Sequence, residues 1–286
     1  MIKKKVEANA KINIGLNILG KNADSYHSLD MLMAPINLCD TLEIIFYEKK
    51  GNLEIKSNKT GIPLDKNNII YKIYEKYYST VGLQKEEIEV YLIKRIPSEA
   101  GLGGGSSDGA FFLKTLNEYH NNLLSLEELI ELSKYVGADI PFFLINKSSR
   151  VKGIGEKIEI IENNCRGKII LIKPNFGINT GEAYRVYSNL IEKKSADIEK
   201  LKLALETNNL ELLNKNIENH LQQSALFLDS RIKTFEKGLL NINKNFKMSG
   251  SGSCYYLISE EKESLFIYNK LIQEFKDCFV SLNDFI

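Results

Sequence analysis

The chain has 286 residues, 43% of them hydrophobic, with 38 Lys and Arg against 37 Asp and Glu, enough apolar material for one large core or two modest ones. So even a charge balance excludes a global field for nucleic acid or an anionic membrane and leaves a small anionic ligand open. Four cysteines without Cys-x-x-Cys spacing (Cys39, Cys165, Cys254, Cys278) speak for free thiols in a reducing compartment and against a zinc site. The basic start lacks the apolar run of an export signal, and no stretch approaches the roughly 20 apolar residues of a membrane helix, so a cytoplasmic protein is expected.

From Val6 to Ile18 the even positions are apolar and the odd ones polar (Glu7, Asn9, Lys11, Asn13, Asn17), the period of a strand. The odd row is either a solvated face or, around Lys11, a compact array of donors. Strands follow at 41–48 and 53–56, then a helix after Asn67-Asn68 with Ile69, Ile73 and Tyr77 on one stripe, and a strand at 88–94 that ends before Pro97. Helices are predicted near 106–119 and 125–135, and another begins at Gly137-Ala138-Asp139-Ile140-Pro141, with Pro141 suited to its first turn. A strand pair at 149–151 and 157–161 closes this part. Beyond Asn163-Asn164 come a strand at 169–172, helices near 180–192, 196–206, 209–218 and 231–241, a strand at 253–258, a helix carrying Leu265, Tyr268, Leu271 and Ile272, and a last strand at 278–282. The change of pattern sets a domain boundary between 161 and 162, giving domains 1–161 and 162–286 of an α+β protein.

Between the strand at 88–94 and its following helix lies Gly101-Leu102-Gly103-Gly104-Gly105-Ser106-Ser107-Asp108. Bare glycine backbone can approach an anion closely, and the first turn of the next helix adds unpaired N–H groups and the positive end of its dipole. The spacing is neither that of a Walker loop nor that of a Rossmann fingerprint. A second loop, Ser249-Gly250-Ser251-Gly252-Ser253, precedes an apolar strand and reads either as a cover for substrate or as a plain turn. Asp139 is either a helix cap or, beside a lysine, an ionised acceptor for a hydroxyl proton. Tyr26-His27 ends a polar loop and can stack on and hydrogen-bond a base or sugar. His120 and His220 have no ligand neighbours at zinc spacing.

The stretch Pro97 to Ala110 resembles the second motif of the GHMP kinases, and Met248 to Gly252 their third. Ala8 to Leu16, Asp24-Ser25-Tyr26-His27 and Gly137 to Phe143 are similar, in the same order, to the signatures of the branch acting on a cytidine-diphosphate-linked methylerythritol. The resemblance implies an N-terminal ATP domain of the ribosomal-protein-S5-like type and a C-terminal α+β domain. It implies ATP with Mg²⁺ as cofactors, Mg²⁺ lying near Ser106 or Ser107 without a dedicated protein metal site. Pro97, Ser98, Glu99, Ala100, Gly101, Leu102, Gly103, Gly104, Gly105, Ser106 and Ser107 would hold ATP, with Asn68 and Lys94 on the adenosine side. Asp139 would accept the proton of the substrate hydroxyl, as base or orienting anion, with Lys11 beside it. Asn13 and His27 would hydrogen-bond the substrate, Tyr26 and Tyr184 would sandwich the cytosine, and Thr180 would lie at the same pocket. Ser25 stands where the family usually has glycine. A monomer or weak homodimer acting on a small molecule, without nucleic acid or membrane, completes the expectation. A homoserine or mevalonate type of kinase, or a non-catalytic nucleotide sensor on the same fold, is the alternative.

Overall fold

A computed structural model of the chain describes residues 1–21, 27–187 and 194–286. It divides into two compact units, one of Met1–Ala10, Leu38–Ile96 and Gly103–Asn146, the other of Lys11–Asn37, Pro97–Leu102 and Lys147–Ile286. Two long paired strands, β1 (Ile2–Lys21) and β2 (His27–Lys50), each contribute to both units.

In the first unit β2 pairs antiparallel with β4 (Glu86–Ile93), in register Thr41↔Ile93 to Phe46↔Ile88, and β3 (Leu53–Ser57) adds in parallel on the far side of β4. Between β3 and β4 runs α1 (Ile69–Val81), whose apolar residues recur at helical spacing and bury Ile70, Ile73, Tyr74, Tyr77 and Tyr78. Asn68 caps it, and Gly82, in the left-handed conformation, ends it. α2 (Gly104–Tyr119) packs on α1 and buries Ala110, Phe112, Leu113 and Leu116. α3 (Leu126–Ser133) opens on a capping box of Ser125 and Glu128, and α4 (Ile140–Ile145) lies against α2 and α3.

In the second unit the first half of β2 pairs with β5 (Ser149–Gly153), which pairs with β6 (Lys157–Ile160), both antiparallel. With β7 (Lys168–Lys173) a new antiparallel sheet begins. Its order is β10-β7-β9-β8, with β8 (Lys247–Met248), β9 (Tyr255–Ser259) and β10 (Phe279–Asn283). β7 and β9 are almost wholly buried, as their unbroken apolar runs require. Helices α5 (Thr180–Tyr187), α6 (Ile198–Glu206), α7 (Leu210–Asn216), α8 (His220–Leu228), α9 (Ser230–Ile242) and α10 (Glu261–Glu274) complete the unit.

Three elements differ from expectation, one of them the two-residue β8, which no pattern announced. β2 begins fourteen residues before the strand predicted at 41 (27 against 41), because Pro35 disguises it. That proline lies between the residues that pair with β5 (Leu29–Met33) and those that pair with β4 (Thr41 onward), where neither ladder needs its missing N–H. α8 was not anticipated, since its stripe is short and broken by Gln222 and Gln223. The expected helix at 180–192 is described to Tyr187; its remainder lies outside the described residues. All four cysteines are free thiols, and no helix among the described residues is long and apolar enough to cross a membrane.

Candidate active site

The first glycine stretch ends on a helix, as its phosphate reading demands. Gly103, at φ 74°, is the N-cap of α2, and its carbonyl accepts from the N–H of Ser107 at 2.9 Å. The N–H groups of Gly104, Gly105 and Ser106 point out of the first turn without intrahelical acceptors, at the positive end of a 16-residue helix. Gly105 is exposed there. Ser107 is fully buried and donates its hydroxyl to the carbonyl of Asn9 at 2.7 Å, so the half-buried Ser106 is the hydroxyl of the pair not committed to backbone.

The Asp139 turn packs on this helix start. A Cβ on Gly137 would lie 3.3 Å from Ser106 Oγ and 3.2 Å from the Ile140 side chain, so the turn packs closely on the start of α2 and a side chain here would press on both neighbours. Asp139 occupies the N-cap position of α4 yet makes no side-chain cap bond to that helix, with Pro141 in the first turn. The half-buried carboxylate is therefore not explained by capping.

On the same unit, Asn68 and Lys94 are both engaged internally. Asn68 Oδ1 accepts from Ile70 N at 2.9 Å and its Nδ2 donates to Pro63 O at 2.6 Å. The Lys94 ammonium lies between Asp40 and Asp108, and none of the three side chains is more than 6% exposed. Burial opposes the lysine's charge, but Asp108 and Asp40 more than compensate and raise its pKa. Burial, with Asp40 beside it, pushes Asp108 up as well, against the pull of Lys94. Sequence reasoning passed over Asp40 and met Asp108 only as the end of the glycine-serine stretch, without a role; an Asp directly after such a loop carries no signal of its own.

Within the second unit the polar row of β1 is buried, and the solvated-face reading of it falls. Lys11 and Asn13 are each 3% exposed. The Lys11 ammonium donates to Asn13 Oδ1 and, at 2.7 Å, to the carbonyl of Gly101. Its backbone N–H donates to Leu102 O at 3.0 Å. Ser249 Oγ donates to the same Gly101 carbonyl at 3.0 Å and accepts from the N–H of Asn13 at 3.2 Å. Among the described residues Asn13 Nδ2 donates to Met31 Sδ, at 3.5 Å, a weak acceptor that leaves capacity for a stronger one. The Pro97–Leu102 segment is tied along its length: Glu99 O accepts from Ser253 N at 3.0 Å and Ala100 O from Cys254 N at 3.3 Å, while Ser98 follows Pro97 at the turn. Gly101, at φ 71°, passes so near the second loop that a Cβ would fall 1.9 Å from Ser249 O.

The second glycine loop uses its hydroxyls inwardly: Ser251 Oγ meets Thr180 Oγ1 at 2.7 Å, and Ser253 donates to Phe176 O. It is neither bare turn nor open cradle. Asn219, absent from the sequence reading, fastens it: Nδ2 donates at 2.8 Å to both Met248 O and Gly250 O, while Oδ1 caps α8 at Leu221 N. An Asn one residue before a helix was the signal available. Tyr184, one turn after Thr180 on α5, stacks on His27 with ring centroids 4.9 Å apart. Tyr26 lies outside the described residues. Thus Lys11, Asn13, His27, Thr180 and Tyr184 fall in the second unit, and Asn68, Lys94, Gly103–Ser107 and Asp139 in the first.

Residues 68–147, which span α1 to α4, match the model of the GHMP kinases N terminal domain. A 4-diphosphocytidyl-2-C-methyl-D-erythritol kinase of Fusobacterium nucleatum is 46% identical over 272 residues, covering 94% of this chain and 92% of that one. The protein of the same name from Carboxydothermus hydrogenoformans is 39% identical, over 92% and 91%. Among solved structures, a 4-(cytidine 5'-diphospho)-2C-methyl-D-erythritol kinase superposes with a TM-score of 0.79 at 25% identity, covering 98% of this chain and 99% of the other. A homoserine kinase from Cytophaga hutchinsonii has the same fold, with a TM-score of 0.76 at 17% identity over 99% and 95% of the chains. With sequence relatives matched over nearly their whole length, the chain belongs to the 4-diphosphocytidyl-2-C-methyl-D-erythritol kinase family of the GHMP kinases.

Proposed function

We propose that this kinase transfers the terminal phosphoryl group of ATP to the 2-hydroxyl of 4-diphosphocytidyl-2-C-methyl-D-erythritol, a step towards isoprenoid precursors outside the mevalonate route. The observation that carries the reading is the packing of the Asp139 turn on the first turn of α2, with Ser106 Oγ 3.3 Å from where a Cβ on Gly137 would be. A helix start suited to phosphate and a carboxylate not used as a cap are thereby neighbours on one unit.

The substrate oxygen forms a bond to the γ-phosphorus as the bond from that phosphorus to the β-bridging oxygen breaks. The hydroxyl proton passes to Asp139 and ADP leaves. Phosphoryl transfer asks the protein mainly for placement and for countercharge. The N–H groups of Gly104 to Ser106 supply fixed dipoles for the phosphates, and Lys11, aimed by Gly101 O and Asn13 Oδ1, supplies a full positive charge. Mg²⁺ arriving with ATP adds charge neutralisation, and Ser106 has the hydroxyl suited to it. Asn13 through Nδ2, His27, Tyr26, Tyr184 and Thr180 recognise the cytidyl alcohol. Asn68 and Lys94 serve the adenosine side as framework, since their polar atoms are already bonded. Residues 1–161 are read as the ATP domain and 162–286 as its C-terminal complement. A net charge of +1 leaves small anionic ligands open, and the enzyme is read as cytoplasmic and as a monomer or weak dimer.

The test is turnover by Asp139→Asn, which keeps the shape and removes the base. kcat should fall about 10³-fold, while a non-hydrolysable ATP analogue binds within about threefold of the parent, as expected where only a transition-state interaction is lost. Turnover near the parental rate would reject Asp139. A panel of alcohols decides the substrate: phosphorylation of homoserine or mevalonate, with the cytidyl alcohol ignored, would reject the assignment.

A further inference from the structure

One buried cluster fastens both ends of the first glycine stretch. On the entry side, Asp40 Oδ1 accepts from the backbone N–H groups of Arg95 at 2.6 Å and Ile96 at 2.9 Å, the last residues before Pro97. Asp40 Oδ2 takes the ammonium of Lys94, and the same ammonium grips Asp108 Oδ2 at 2.5 Å, one turn into α2 on the exit side. Gly104 rests directly on this cluster: a Cβ there would lie 3.0 Å from Ile96 Cγ2 and 3.4 Å from Asp40 Oδ2. Asp40 is fully buried, and Asp108 is 4% exposed.

The arrangement is poor as a stabilising device. Two carboxylates share one ammonium, and Asp108 Oδ1 is buried with no hydrogen-bond partner among the described residues. A buried carboxylate oxygen left without a partner opposes folding. What the cluster does provide is a fixed width between the residue that enters the stretch and the helix that leaves it.

We infer that Asp108 and Asp40 are positioning residues for ATP: acting through Lys94, they hold the two ends of the glycine stretch at the separation a polyphosphate requires, before the nucleotide arrives. This rests on the reading of that stretch as the phosphate site. A loop formed in advance spares the nucleotide the work of ordering it, and affinity falls in proportion to the fraction of molecules in which the loop is formed.

The experiment measures binding of a non-hydrolysable ATP analogue with Mg²⁺ by titration calorimetry, beside KM for each substrate. Asp108→Ala should raise the Kd of the analogue and the KM for ATP about tenfold, the change expected if the formed fraction drops to roughly a tenth. KM for the cytidyl alcohol should stay within about twofold. Asp108→Asn keeps an acceptor oxygen for Lys94 and should bring the Kd back to within about threefold of the parent. Should Asp108→Ala fail to fold, Asp108→Ser, polar but too short to reach the ammonium, carries the same comparison. Parental ATP affinity in the short variants overturns the inference. So does an equal loss for both substrates that tracks falling Tm and is not rescued by Asn, since that is the mark of a general structural role. A parent protein that binds the analogue but leaves the cytidyl alcohol untouched sinks the substrate assignment alone; the positioning role is then judged by the binding series.

Discussion

Two loops of nearly the same composition, Gly101–Ser107 and Ser249–Ser253, have opposite fates. The first runs into a 16-residue helix, so its last N–H groups point outward, and its flanks are fastened by the charged cluster of Asp40, Lys94 and Asp108. The second runs into the buried strand β9 and turns its hydroxyls and carbonyls inward, to Thr180, Phe176 and the amide of Asn219. Glycine and serine set only what the backbone is able to do; the element that follows decides whether its polar groups face a ligand or a neighbour.

The sharpest way to break this contrast is at Gly101, where the two loops touch. Gly101→Ala places a methyl 1.9 Å from the carbonyl oxygen and 2.8 Å from the carbonyl carbon of Ser249, at a φ of 71° that side chains avoid. Neither backbone can give way without moving the Gly101 carbonyl that holds Lys11 and Ser249. The expected outcome is the largest in the molecule: a stability loss above about 3 kcal/mol and kcat/KM down at least about 100-fold in the protein that folds. Gly105→Ala is the control. Its nearest contact would be Ile69 Cδ1 at 3.6 Å, on a helix where alanine is favoured, and its unfolding free energy from urea titration should lie within about 1 kcal/mol of the parent. Equal effects at both positions would remove the distinction between the loops.

Next in size is Asn219, the neutral fastening of the second loop. Asn219→Ala leaves the buried carbonyls of Met248 and Gly250 without this donor and removes the cap of α8, for a loss of about 2–4 kcal/mol in urea unfolding. Asn219→Asp separates the two jobs, because it keeps the cap acceptor but turns a carboxylate oxygen toward two carbonyls. It should be at least as damaging as alanine. Parental stability in the Asp variant would mean that capping alone matters and that the loop is held by something else.

What was legible in the sequence follows the range of the interactions. The strand β1, the glycine stretch and the helix after it are local patterns, and the strand and helix were read to within a few residues. The environment of Lys11 was not, since alternation says that a face is polar and nothing about what covers it; its partner Gly101 is 90 residues away. The clasp on Lys94 was hidden for the same reason, with Asp40 at a separation of 54 and Asp108 at 14. Pro35 hid half of β2 because the rule against proline in strands presumes a ladder on both sides, and here the ladder partners change around it.

The smallest effect is the most discriminating, because charge fastens one loop and neutral amides the other. The pKa of Asp108 is raised from 3.8 to about 7, by burial first and by Asp40, against the pull of Lys94. A carboxyl raised in the folded state contributes stability that is fully present below its unfolded value and is lost as pH rises through the folded one. The window is therefore about pH 4 to 7. Lys94, raised from 10.5, does not titrate there, and Asp40 and Lys94 are the charged groups that face Asp108. Asp108→Asn removes the titration, so its Tm should exceed that of the parent at pH 8 and the advantage should shrink by on the order of 3 °C at pH 5. The Tm difference between the parent and Asn219→Ala should stay flat over the same range, since no charge is added or lost there. A flat profile for Asp108→Asn as well would mean that the acid keeps one protonation state from pH 5 to 8, and the two fastenings would then differ in chemistry but not in their response to pH.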